Sequence, residues 1–174
     1  MKYRKKIIII PYIVYKKKSH LMMVKDKKFN EWTFVTGGCK LNEQFNLCAL
    51  RELYEETNGV LDLRNHVNID INKFYSYRFI HEISKDFVIM DYKVFFVPLH
   101  RFGYDIKSAK TLEKKFYKIS NDLPEFNETT CLKFFELSKV YTIKNIWKLI
   151  KEKVLHDERF EYYKNNVFID SLVI

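Results

Sequence analysis

Glycine, proline and cysteine are all scarce, at four, three and three in a chain of 174 residues. So little glycine and proline excludes collagen-like and low-complexity chains. Three cysteines (Cys39, Cys48, Cys131) cannot close a complete disulfide set, and no C-x-x-C pair exists to hold zinc. The expectation is free thiols in a reducing, intracellular and cytoplasmic setting. No run approaches the roughly 20 apolar residues of a membrane span, so no membrane partner is expected. Residues 1–6 are basic and 7–10 apolar, a faint imitation of a leader, but Pro11 and Tyr12 interrupt it and no small-residue cleavage site follows. That start reads as a strand. What is present is the composition of a folded chain, 47% apolar, 17% aromatic and 30% charged. The length suits one domain spanning 1–174.

The charge is unevenly placed. The net +9 resides in residues 1–28, which hold ten Lys or Arg and one acid, Asp26. Residues 29–174 carry equal numbers of each sign. Two smaller basic stretches lie at 101–118 and 144–153. A positive face attracts polyanions such as RNA or polyphosphates. Abundant Lys, Asn, Ile, Phe and Tyr also follow from an AT-rich genome, and both readings stay open.

Residues 7–15 and 21–24 are β-branched or apolar around a polar turn, which predicts a hairpin. A short apolar segment, 32–35, runs into Gly37-Gly38, where the backbone bends or closely approaches a ligand. Residues 42–57 predict a helix capped by Asn42, with Phe45, Ala49 and Leu53 as the buried stripe and Asn58-Gly59 as the stop. Runs 72–83 and 87–99 predict a second hairpin, and 130–137 a last strand. Ile143, Ile146, Trp147, Ile150 and Val154 predict an amphipathic helix over 142–155, followed by an unassigned tail, 160–174. The apolar stretch 167–174 suits a last core strand or an interface. The layout is α+β.

Glu52, Glu55 and Glu56 are related by i, i+3 and i+4, so all three carboxylates share one helix face. Like charges at that spacing repel unless a divalent cation lies between them, and Mg²⁺ and Mn²⁺ favour such oxygen ligands. Arg51 can orient one carboxylate by a two-pronged bond. Three glutamates alone would read as a solvated acidic face. The flanking residues add more. Gly37, five residues, Glu43, seven residues, Arg51-Glu52-Leu53-Tyr54-Glu55-Glu56, then Gly59-Val60 closely resembles the Nudix box, here residues 37–60. One extra residue stands before the closing glycine, beyond the carboxylates. Trp32-Thr33-Phe34-Val35-Thr36-Gly37 is similar to the family's segment leading into the box, with Val35 in place of its Pro and Thr36 in place of its Gly or Lys.

The resemblance implies an α/β/α sandwich around a mixed sheet. It implies a hydrolase of nucleoside-diphosphate derivatives that uses Mg²⁺ or Mn²⁺. Glu52, Glu55 and Glu56 then match the metal ligands, Arg51 the orienting arginine, Glu43 a supporting or ligating carboxylate, and Thr36 a backbone contribution. Glu128, before the last strand, matches the general base, with Glu125 as runner-up. Candidate substrate contacts are Lys25, Trp32, Phe34, Gly37, Gly38, Tyr75 and Tyr77. Trp32 and Phe34 could equally pack beneath the loop. Tyr75 and Tyr77 lie on an aromatic strand face that serves as core or as a base platform, and Cys48 reads as a small buried residue. The resemblance also admits a homodimer.

Three substrate readings compete. The first is removal of the 5′ cap of mRNA, releasing methyl-GDP, with the basic stretches as the RNA track. The compact size and Lys/Asn/Ile/Phe-rich composition are similar to those of decapping enzymes of large DNA viruses, which would work in a host cytoplasm. The second is a small-molecule pyrophosphohydrolase acting on a nucleotide sugar, a nucleoside or dinucleoside polyphosphate, or a diphosphoinositol polyphosphate. The third, a non-catalytic RNA-binding module, gives no reason to keep a repelling glutamate cluster.

Overall fold

A computed structural model of the chain describes residues 2–66, 74–83, 86–119, 126 and 128–170. The strands are β1 (Lys2–Tyr15), β2 (Lys18–Asp26), β3 (Trp32–Thr33), β4 (Val35–Gly38), β5 (Phe74–Ile83), β6 (Asp86–Pro98) and β7 (Thr129–Glu136). They form one sheet in the order β3-β2-β1-β6-β5, with β4 beside β1 and β7 beside β2. β1 and β6 are parallel, from Lys2 opposite Val88 to Tyr12 opposite Pro98. The other pairings are antiparallel, so the sheet is mixed.

β1 explains why residues 7–10 read as an unbroken apolar run. A strand covered on both faces must be apolar at every position. Ile7, Ile9 and Ile13 enter one core with Met22, Val24, Val35, Phe95 and Leu132. Ile8, Ile10 and Tyr12 enter the other with Leu21, Met23, Val94 and Phe96. The first core is covered by α1 (Phe45–Glu56) and α2 (Ile106–Lys118), through Ala49, Leu53, Leu112 and Phe116. The second takes Val140 of the short α3 (Leu137–Val140), Ile150 of α4 (Lys148–Ile150) and Phe160 of α5 (Glu158–Asp170). The result is the expected α/β/α sandwich.

β1 begins five residues earlier than the apolar pattern indicates, because the basic residues from Lys2 to Lys6 pair along β6. At the far end of α1, Asn58 and Gly59 take left-handed conformations (φ 52° and 72°) and end the helix as expected. The additional residue of the box is absorbed in this turn. Thr57 donates its hydroxyl to the Leu53 carbonyl at 2.6 Å and accepts from the Leu61 N–H at 3.3 Å.

Several expectations are corrected. Asn42 does not cap α1: it has φ 63°, and Gln44 precedes the helix without a side-chain cap. The turn is closed instead by the Glu43 carboxylate, which accepts the Lys40 N–H at 2.8 Å. The helix expected over 142–155 begins only at Lys148 and continues as a π-turn, Lys151–Leu155. Upstream of it the backbone pairs with β3 instead. The Trp32 N–H donates to the Asn145 carbonyl (2.8 Å), and the Trp147 N–H to that of Trp32 (2.9 Å). The tail forms α5 rather than a strand over its described part, and Phe160 is buried against Phe96, ring centres 5.8 Å apart. Residues 171–174 lie outside the described residues. Finally, Cys39 and Cys48 are joined by a disulfide, because the strand end and the face of α1 that carry them meet, with Cα atoms 5.2 Å apart. Only the third cysteine, Cys131, matches the expectation of a free thiol.

Candidate active site

The site lies where β4 meets the carboxylate face of α1. Arg51 organises it. Its Nε and Nη2 donate to the two oxygens of Glu43, each at 2.9 Å. Its Nη1 donates to Glu52 and Glu55, each at 2.8 Å, and Nη2 also reaches the Gly38 carbonyl at 2.9 Å. One planar guanidinium thus ties three carboxylates to the strand, which a lysine's single ammonium could not do. These bonds hold the Glu43 carboxyl below its usual range and push the arginine's own pKa up.

The paired glycines do not form a sharp bend. Both lie in β4, opposite Ile7 and Lys6. Their purpose at this point is space: a Cβ on Gly37 would lie 1.9 Å from the Glu52 carboxyl carbon. Gly37→Ala should therefore displace Glu52 and lower kcat by about 10²-fold while the circular dichroism spectrum stays native; steady-state kinetics would check it.

Glu56 is buried, 8% exposed, and its carboxyl lies beside that of Glu128. The contact has a structural cause. At the start of β7, the Thr129 hydroxyl donates to the Glu56 carbonyl at 2.7 Å, docking the strand onto the end of α1. The Lys27 N–H holds the Glu128 carbonyl at 2.8 Å. Burial, and then Glu128, push the Glu56 pKa up to about 9, with Glu52 and Asp26 adding to the rise. Burial also pushes Glu52 up, against the pull of Arg51.

These groups line a cleft of about 380 Å³, with Lys6, Thr36, Gly37, Gly38, Glu52, Glu55, Glu56, Tyr92, Glu128 and Trp147 on its walls. Lys6 is the one basic residue among those walls. Four carboxylates facing one cavity around a single ammonium form an oxygen donor set suited to a hard divalent cation. Glu52, Glu55 and Glu56 would hold it, with Glu128 facing the same cavity.

Other expected contacts lie elsewhere. Phe34 is fully buried in the second core, so it cannot touch substrate. Tyr75 is also buried, beneath Arg159, whose guanidinium lies 5.0 Å from its ring centre. Tyr77 clusters with Phe79 and Tyr92, ring centres 6.1 and 5.0 Å away, and those two rings are themselves 5.7 Å apart. Only Tyr92 of that cluster reaches the cleft. Trp32 packs edge-on against Phe135 at 5.0 Å, and the Lys25 ammonium lies 6.0 Å from the Trp32 ring centre instead of lining the cleft. Glu125 lies outside the described residues. Lys6, Tyr92 and Trp147 were missed because only the sheet, which sets Lys6 opposite Gly38 and Tyr92, and the main-chain bond from Trp147 to Trp32 bring these distant residues to the glutamates.

The NUDIX domain family model matches residues 5–109, and the chain belongs to this family. With the glutamates and arginine of the box in place, it is a Nudix hydrolase that cleaves a diphosphate linkage in nucleoside-diphosphate derivatives. No curated protein shows significant similarity to it. Among solved structures, the NUDIX domain of Shewanella oneidensis NrtR complexed with ADP ribose is 7% identical with TM-score 0.53, over 96% of this chain and 90% of that one. A Caenorhabditis elegans Ap4A hydrolase is 13% identical with TM-score 0.51, over 94% and 98%. A NUDIX hydrolase of Listeria monocytogenes is 19% identical with TM-score 0.51, over 92% and 94%. At these identities the likeness is one of fold.

Proposed function

We propose that the protein removes the 5′ cap of RNA, releasing 7-methyl-GDP, with Mg²⁺ or Mn²⁺ bound by Glu52, Glu55 and Glu56, and with Glu128 as the general base. One observation carries this reading. A groove of about 710 Å³, lined by Arg4, Lys6, Lys148, Lys153, Phe79, Met90, Tyr92, Trp147, Leu149 and Glu152, continues from the cleft and shares Lys6, Tyr92 and Trp147 with it. Basic side chains interleaved with aromatic rings suit a single strand, whose phosphates and bases they contact in turn. A free nucleotide sugar would leave that groove unused.

A divalent cation held by these glutamates would supply charge neutralisation of the diphosphate and a lowered pKa for water. The chain's residues do the rest. Arg51 fixes Glu52 and Glu55 before substrate arrives, and Lys6 offers a positive charge to the phosphates at the groove end of the cleft. Glu128 lies beside Glu56 on the cleft wall and would take a proton from the attacking water.

The test is cleavage of cap-labelled RNA. Labelled 7-methyl-GDP should appear with wild type, and the double variant Lys148→Glu, Lys153→Glu should raise KM for capped RNA far more than for a capped dinucleotide. The slope of log affinity against log salt should also become shallower, by about one per lost phosphate contact. No release from folded, cation-binding protein would overturn decapping. Faster turnover of a dinucleoside tetraphosphate than of capped RNA would instead favour the small-molecule reading, which the Ap4A hydrolase's likeness in fold motivates.

A further inference from the structure

A second, smaller pocket of about 210 Å³ adjoins the cleft. Asp26, Phe29, Glu31, Thr33, Thr36 and Trp147 line it, and Thr36 and Trp147 also line the cleft. The pocket is built on the turn between β2 and β3, and that turn is well braced. Asp26 accepts the Phe29 N–H on its side chain (2.6 Å) and the Asn30 N–H on its carbonyl (3.1 Å), and its own N–H donates to the Glu31 carbonyl (2.9 Å). Asn30 takes φ 59°, and its carbonyl accepts from the Asn145 side chain at 3.0 Å. This brace holds Phe29 two-thirds exposed at the mouth of the pocket.

The lining chemistry is selective. Two aromatic rings offer stacking faces, and two carboxylates accept hydrogen bonds and repel anions. Such a wall disfavours a phosphate or a second polyanion. It favours a flat, positively charged ring with adjacent N–H donors. Guanine presents N1–H and an exocyclic amino group side by side, whereas adenine presents an acceptor at N1. Methylation at N7 places a positive charge on the guanine ring, which aromatic faces and carboxylates both attract. The Lys28 ammonium already lies 4.9 Å from the Phe29 ring centre, so that ring accepts a cation.

We propose that this pocket takes the 7-methylguanine base, with Phe29 and Trp147 stacking on it and Glu31 accepting from its N–H edge. The inference rests on the decapping reading and deepens it, for it makes the enzyme read the methyl group. The compartments agree with the reaction: the base pocket and the basic groove both adjoin the glutamate cleft, with Trp147 common to all three, as the methylated base and the RNA chain both join the phosphates in capped RNA.

The test is calorimetric binding of 7-methyl-GDP and GDP to the full chain, run beside the cleavage assay. Wild type should bind 7-methyl-GDP at least tenfold tighter than GDP. Glu31→Gln, which keeps the side chain's shape, should erase most of that preference. Phe29→Ala should weaken 7-methyl-GDP at least fivefold, and Phe29→Tyr should restore it. Equal binding of the two nucleotides by wild type would overturn the proposal. So would unchanged preference in Glu31→Gln together with unchanged affinity in Phe29→Ala; if capped RNA is still cleaved in either case, decapping stands and the base sits elsewhere. Failure of wild type to cleave capped RNA counts against the decapping reading itself.

Discussion

Glu56→Gln should lower kcat on the order of 10³-fold or more while leaving the fold intact. Glutamine keeps the volume and one acceptor oxygen, but it cannot ionise to bind a cation from this buried position. The same variant should change how stability depends on pH. In the cation-free protein the Glu56 pKa stands at about 9 rather than the ordinary 4.5, chiefly because of burial. The folded state therefore holds this proton across a range in which the unfolded state has released it. Stability contributed by the group is complete below about pH 4.5 and is lost as pH climbs towards 9. Thermal melts in chelator should show that downward slope in wild type and a flatter one in Glu56→Gln. Adding Mg²⁺ should raise the wild-type midpoint most at the alkaline end, where the carboxylate is free to bind it.

Arg51→Ala should be the most destabilising single change at the site. It leaves Glu43, Glu52 and Glu55 facing one another without the shared guanidinium, and it strands the Gly38 carbonyl. Breaking such a pair from one side costs about 3 kcal/mol, which for a chain of this length lowers the melting midpoint by about 10 °C. Activity should fall as well, since two of the candidate cation ligands lose their orientation. Arg51→Lys should recover less than half of the lost stability, because an ammonium restores charge without the fork. Calorimetry of the three proteins, paired with kinetics, would check both effects.

The box was legible because its information is local. Helical spacing alone puts Glu52, Glu55 and Glu56 on one face, and Arg51 follows from its place beside them. Glu128 could be named only by analogy, for it approaches Glu56 through the Thr129 hydroxyl, 73 residues along the chain. The substrate contacts were less legible. Trp32 and Phe34 sit beside the glycines in sequence, yet Phe34 points into the core and Trp32 leans on Phe135. Tyr75 alternates with polar neighbours like a platform residue, but Arg159 just within α5 covers it. Trp147 was hidden by its own periodicity, since it falls in step with Ile143, Ile150 and Val154 as a helical residue would. No local pattern announces that residues 145 and 147 hydrogen-bond to the Trp32 backbone. The Cys39–Cys48 bridge was concealed because an odd number of cysteines argued against pairing.

That pairing of Trp32 with residues 145 and 147 has a consequence for how such an enzyme can change. The reacting groups come from one contiguous stretch of chain plus Glu128. The indole beside them is delivered by a segment beyond the NUDIX match, which ends at residue 109, and held by two main-chain bonds. Main-chain bonds place few demands on side-chain identity. The residue at position 147 is therefore free to drift, and the tip of the turn at 27–30 with it, while the glutamates stay as they are. Descendants of this architecture can acquire new appetites without relearning the reaction.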